Sequence, residues 1–106
     1  MPGVTILQAA AAEGAAAAAW YESQQPGLGS EFEAALQAAL DLLETPVAPL
    51  VAVPGPAGAR GAMRIVLRRF PFDVVVVPAR DGWLIVAFAH HSRRPGYWRD
   101  RTRRRT

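Results

Sequence analysis

Two adjacent histidines, a set of arginines and one tyrosine carry most of the chemistry available to this chain. His90 and His91 are followed by Arg93, Arg94, Tyr97, Trp98 and Arg99, and preceded by Arg60, Arg64 and Arg68. Imidazole gains and loses a proton near neutrality, so a histidine beside arginines can act as general acid or base in RNA cleavage. Arginines in such a site grip the flanking phosphates and stabilise the charge building on the scissile one. The same guanidinium groups can instead pair with the carboxylates of a protein partner. Tyr97 and Trp98, beside Arg99 and Arg101, can stack on bases or fold back as a lid on the core.

Neighbouring residues of a strand point to opposite faces, so at most one of the two histidines belongs to a given surface. Simple alternation groups His90 with Leu84, Val86 and Phe88, and His91 with Ile85, Ala87 and Ala89. Arg60, Arg64, Arg68, Arg93 and Arg94 are expected on one face, either as a binding cluster or as a solvated basic sheet. The run Arg103-Arg104-Arg105 reads as a solvated tail adding nonspecific affinity for polyanions.

Charge is segregated along the 106 residues. Residues 1–59 hold six acids and no base, whereas residues 60–106 hold twelve arginines, no lysine and three acids. The net charge of +3 therefore divides into about −6 and +9, which suggests an anionic partner for the second half. The chain has no cysteine, which excludes disulfides and thiolate metal sites. No metal site or cofactor is expected: nucleotide loops, Ser-His-Asp spacing and paired carboxylates in the basic half are all missing. Asp73, Asp81 and Asp100 read as strand-edge, turn and tail residues. The apolar start, Val4 to Tyr21, is mostly alanine, is interrupted by Glu13 and Gly14, and has no basic residue before it. It is expected to be neither a signal peptide nor a span, since a span needs about 20 strongly apolar residues. The expectation is a soluble chain in a reducing cytoplasm.

The elements that must position these residues follow from the pattern. Residues 4–8 are β-branched and apolar enough for a strand, and about 10–24 form an alanine-rich helix with Gly14 as a weak point. Pro26-Gly27-Leu28-Gly29 breaks that helix, and Ser30 with Glu33 reads as a capping box for the next, over roughly 30–44. Phe32, Leu36, Leu40 and Leu43 make its apolar stripe, opposite Glu33, Gln37, Asp41 and Glu44. Residues 46–58, with four prolines and two glycines, read as a loop. Strands are expected at 61–69, at 72–78 as a central valine-rich strand, and from Trp83 to about His90 after the Asp81-Gly82 turn. The order β-α-α-β-β-β describes a single α+β domain, 1–106. A helical hairpin covers one face of a small, mainly antiparallel four-stranded sheet, and a basic tail occupies about 99–106.

Three segments in this order resemble the RelE/ParE superfamily of toxins from bacterial type II toxin–antitoxin systems, across about residues 4–101. They are WYESQQPGLGSEF (Trp20 to Phe32), RRFPFDVVVV (Arg68 to Val77) and IVAFAHHSRRPGYWRDR (Ile85 to Arg101). The ending and the hairpin segment resemble ParE-like members most. The resemblance implies a cytoplasmic bacterial toxin that inhibits DNA gyrase by binding, without catalysis. It also implies a small cognate antitoxin, for which the +9 half predicts an acidic, amphipathic C-terminal segment, and a heterotetramer or larger complex. Arg64, Arg68, Arg93, Arg94, Trp98 and Arg99 would then bind partners. A RelE-like mRNA endonuclease acting with or without the ribosome is the alternative, with Arg60, Arg64, His90, His91 and Tyr97 as its catalytic candidates. A degenerate, non-toxic binding module is the third. The chain departs from the family pattern in its proline-rich 46–58 segment, in Phe72 where tyrosine is common, and in lacking lysine.

Overall fold

A computed structural model describes residues 3–103, with side chains as far as Arg101. The Arg103-Arg104-Arg105 side chains lie outside the described residues. The elements run β1 (Gly3–Ile6), α1 (Gln8–Gln24), α2 (Leu28–Leu43), β2 (Val51–Ala52), α3 (Pro56–Ala59), β3 (Met63–Val66), β4 (Phe72–Ala79), β5 (Gly82–His90) and α4 (Arg99–Arg103). The α+β class and the order of the main elements follow the sequence reading. The sheet has five strands in the order β1-β5-β4-β3-β2, with β1 parallel to β5 and the other pairs antiparallel.

Helices α1 and α2 lie on one face. Phe32, Leu36 and Leu43 are buried with Ile65 and Leu67 in one apolar cluster, and Leu40 is half-buried against it. The α1 contribution is a stripe of small residues, Ala10, Gly14 and Ala18, spaced four apart. A Cβ on Gly14 would sit 3.0 Å from the Phe88 ring. Gly14 is thus less a weak point than the place where α1 settles onto β5. The capping box is not formed: α2 begins at Leu28 after Gly27 in the left-handed region, and Ser30 lies inside the helix. The cap comes from α1 instead, where the Glu22 carboxylate accepts from the Gly27 and Gly29 amides at 2.9 and 3.0 Å.

The strand count and the faces of β5 also need correction, the sheet having five strands where four were expected. Residues 46–58 are not simply a loop. Val51 and Ala52 pair with Arg64 and Met63 to form the edge strand, and Pro56 starts the short α3, where its missing N–H does no harm. Simple alternation along β5 also fails. Val75 pairs with Ala87 and Val76 with Ile85, so Val86 is an extra, bulged residue. Ile85 and Phe88 therefore belong to the helix-side cluster, while Leu84, Val86, Ala87 and Ala89 share the opposite face. That opposite face is partly covered. Trp98, 4 % exposed, closes a second cluster with Ala62, Val75 and the four β5 residues just named. Among the described residues no helix is long and apolar enough to cross a membrane.

Candidate binding pocket

The face of the sheet away from the hairpin holds a pocket of about 520 Å3. Its floor comes from β3, β4 and the end of β5. Register places Val66 opposite Asp73 and Asp73 opposite Ala89, so Arg64, Val66, Asp73, Val75 and Ala89 share this face. His91, two residues past Ala89, keeps the same side, and its amide donates to the Pro71 carbonyl at 2.8 Å. One wall is Val53, Pro54, Pro56 and Ala57; the other is the turn from Arg93 to Arg99.

Asp73 organises the floor. It is the sole buried charged residue among those described, at 8 % exposure. One carboxylate oxygen accepts from Arg64 Nη1 at 3.2 Å, and the other lies 2.8 Å from His91 Nε2. A carboxylate this buried is stable only with such partners. Arg64 and Asp73 thus cancel one another. Asp73 was expected at a strand edge; its burial between two basic groups is the correction. The available signal was its position, one acid in the apolar run Phe72–Val77; that it shares a face with Arg64 is set by the β3–β4 register.

A second cluster holds the far wall. Tyr97 donates its hydroxyl to Glu13 Oε2 at 2.6 Å, and Arg101 forks onto the same carboxylate at 2.9 and 3.0 Å. Glu13 Oε1 also accepts from the Phe88 amide at 3.1 Å, while Arg101 donates to the Val86 carbonyl at 3.0 Å. The parallel pairing of β1 has ended by this point, so the two side chains satisfy β5 backbone groups that lack a strand partner. Burial, then the hydrogen bond to Glu13 and its charge, push the Tyr97 phenol far above its ordinary value despite Arg101 and Arg93 nearby. The Arg101 guanidinium is raised too, chiefly by its hydrogen bond to Glu13. Sequence reasoning saw Glu13 only as an interruption of an apolar run. The signal was that it is the first charged residue of the chain, within alanine-rich surroundings.

The candidates therefore separate. Arg64, His91, Arg93, Arg94, Tyr97, Trp98 and Arg99 come together around the pocket; Arg60 and Arg68 are exposed and do not line it. Arg93 stacks on Tyr97, its Cζ 3.9 Å from the ring centroid, and Arg99 Nε donates to the Gly96 carbonyl. Trp98 serves the core beneath. His90 borders the pocket, but its ring meets Phe72 edge-on at 5.0 Å, on the helix side, and its Nδ1 accepts from the Ser92 amide. The two histidines do face opposite ways. Among the described residues no cluster of three or more His, Cys, Asp or Glu side chains could hold a metal ion. Comparison with protein-family models, with curated proteins and with solved structures finds no match.

Proposed function

We propose that this chain is a RelE/ParE-like toxin of the ParE type, acting on DNA gyrase by binding and held in check by an antitoxin with an acidic C-terminal segment. The setting is the bacterial cytoplasm, and toxin and antitoxin assemble as a heterotetramer or a larger complex. One observation carries the choice of binding over catalysis. Charge cancels at the floor, where Asp73 holds Arg64, while Arg93 and Arg94 stand exposed at the rim. Such a surface draws in an acidic protein but does not concentrate positive charge where a scissile phosphate would lie. Tyr97 supports the same reading, since a phenol committed to Glu13 and raised in pKa cannot act as a base near neutrality.

The second reading, an mRNA endonuclease, is favoured by a different contact. Asp73 holds His91 as an orienting carboxylate holds a general base, with Arg64 and Arg93 nearby. The purified chain should be tested in parallel for inhibition of gyrase supercoiling and for cleavage of mRNA with and without ribosomes. Binding predicts inhibited supercoiling and intact RNA. It also predicts that His90→Ala and His91→Ala keep most toxicity, while arginine substitutions weaken it in graded, salt-sensitive steps. RNA cleavage that falls roughly 10²–10⁴-fold in His91→Ala alone would establish the endonuclease. Inactivity in both assays would leave the degenerate binding module.

A further inference from the structure

The proline-rich segment that departs from the family pattern is also the pocket's distinctive wall. β2 hangs it on the sheet edge: the Val53 amide donates to the Ala62 carbonyl and the Ala62 amide to the Ala57 carbonyl, both at 3.0 Å. The turn between is tight enough that a Cβ on Gly58 would lie 1.7 Å from the Val53 carbonyl oxygen. Val53, Pro54, Pro56 and Ala57 thereby face the pocket with no charged group among them. Val66, on the floor beside them, is 44 % exposed. A large aliphatic residue left this open beside an uncharged wall is a place for another apolar group.

The opposite wall differs in character. Arg93 and Arg94 are exposed there, about the Pro95-Gly96 turn, whereas the floor carries Arg64 already paired with Asp73. An anion at the floor would compete with Asp73 for Arg64, whereas an anion at the rim would meet Arg93 and Arg94, with no carboxylate paired to either among the described residues. The two halves together define a ligand with an apolar part that goes deep and a negative part that stays out.

We propose that this pocket is a receptor for one apolar side chain of a protein segment whose neighbouring residues are carboxylates, with Pro54, Pro56, Ala57 and Val66 selecting the apolar group and Arg93 and Arg94 holding the acids. The inference rests on the binding reading above and adds what the site selects. RNA is the disfavoured ligand, because a nucleotide carries its charge on every residue and brings it to the floor as well as the rim. The cavity, about 520 Å3, is ample for an aliphatic or aromatic side chain with its flanking backbone.

The test uses the full chain and three fluorescent probes of equal length: a peptide repeating Leu-Glu-Glu, one repeating Ser-Glu-Glu, and single-stranded oligouridylate. Burying an aliphatic side chain should make the leucine peptide bind about tenfold or more tighter than the serine peptide in anisotropy titrations. Ala57→Glu should erase that preference. Val66→Thr, isosteric and at an exposed site, should reduce it several-fold with the fold intact. Arg93→Ala and Arg94→Ala should weaken both peptides alike and flatten their salt dependence. Equal affinity of wild type for the two peptides, an unchanged preference in Val66→Thr, or oligouridylate that binds tightest and displaces both would overturn the proposal. Gyrase inhibition by the same variants keeps the two ideas apart. Inhibition lost in Arg93→Ala with no leucine preference in wild type would sink the apolar subsite and spare the binding reading.

Discussion

Glu13→Gln isolates the charge that ties α1 to the end of the chain. The substitution keeps the size of the side chain and one acceptor oxygen, but turns an amide NH2 toward groups that are themselves donors. Three of the four hydrogen bonds to this carboxylate come from side chains, Tyr97 once and Arg101 twice, and the fourth from the Phe88 amide. Breaking a buried ion pair by removing one partner costs about 3–5 kcal/mol when both groups are fully enclosed. Here the side chains are 17 % and 24 % exposed, so water compensates in part. We expect a loss of about 2–3 kcal/mol, out of the roughly 5–15 kcal/mol that holds a domain of this kind together. In thermal unfolding that corresponds to a Tm lower by roughly 10 °C. Urea titration followed by tryptophan fluorescence measures it directly, because Trp98 is buried beside Tyr97. Arg101→Met should cost a similar amount, and the double variant much less than the sum, with a coupling energy above about 1 kcal/mol. Additive losses, or a Glu13→Gln loss under about 0.5 kcal/mol, would show that the cluster is surface decoration and refute the reasoning.

Three further outcomes follow from the same geometry. The raised Tyr97 pKa means that the unfolded chain ionises first in alkali, so stability is full below about pH 10 and falls as pH rises toward the folded value. Tyr97→Phe should flatten that limb in pH-dependent urea unfolding, with Tyr21, also raised by burial, accounting for the remainder. Gly58→Ala should distort the turn that carries the pocket wall, weakening partner binding without removing any charge, while far-ultraviolet circular dichroism stays unchanged. Asp73→Asn should leave Arg64 without its countercharge, lowering stability by about 1–3 kcal/mol and steepening the salt dependence of polyanion binding.

The hairpin and the central strand were written plainly in the sequence. Phe32, Leu36 and Leu43 recur at helical spacing, and four consecutive valines leave little room for anything but a strand buried on both faces. What escaped was nonlocal. Val51-Ala52 pairs with β3 although two residues cannot announce a strand by pattern. The bulge at Val86 is a fault in register between two strands, and no single strand carries a mark of it. Asp73 and Glu13 looked incidental because each is an isolated acid within its own segment; their partners come from other strands and from the far end of the chain. The arginines were visible as a set, yet only the folded chain sorts Arg64, Arg93 and Arg94 into the pocket and leaves Arg60 and Arg68 outside it.

The contact of Glu13 and Arg101 with the Phe88 amide and the Val86 carbonyl also bears on self-association. A sheet edge that keeps its N–H and C=O groups free is a template onto which another strand can add, and natural sheets blunt such edges with charge. Here the blunting is done by two side chains that arrive from opposite ends of the chain, so closure of β5 at the Val86 carbonyl is completed only after α4 has been made and docked. A chain shortened before Arg101, or one still emerging from synthesis, leaves the Val86 carbonyl without its donor and Glu13 without its countercharge, in one of the most apolar strands. Aggregation during production should therefore track the integrity of the C-terminal segment more closely than it tracks the hairpin.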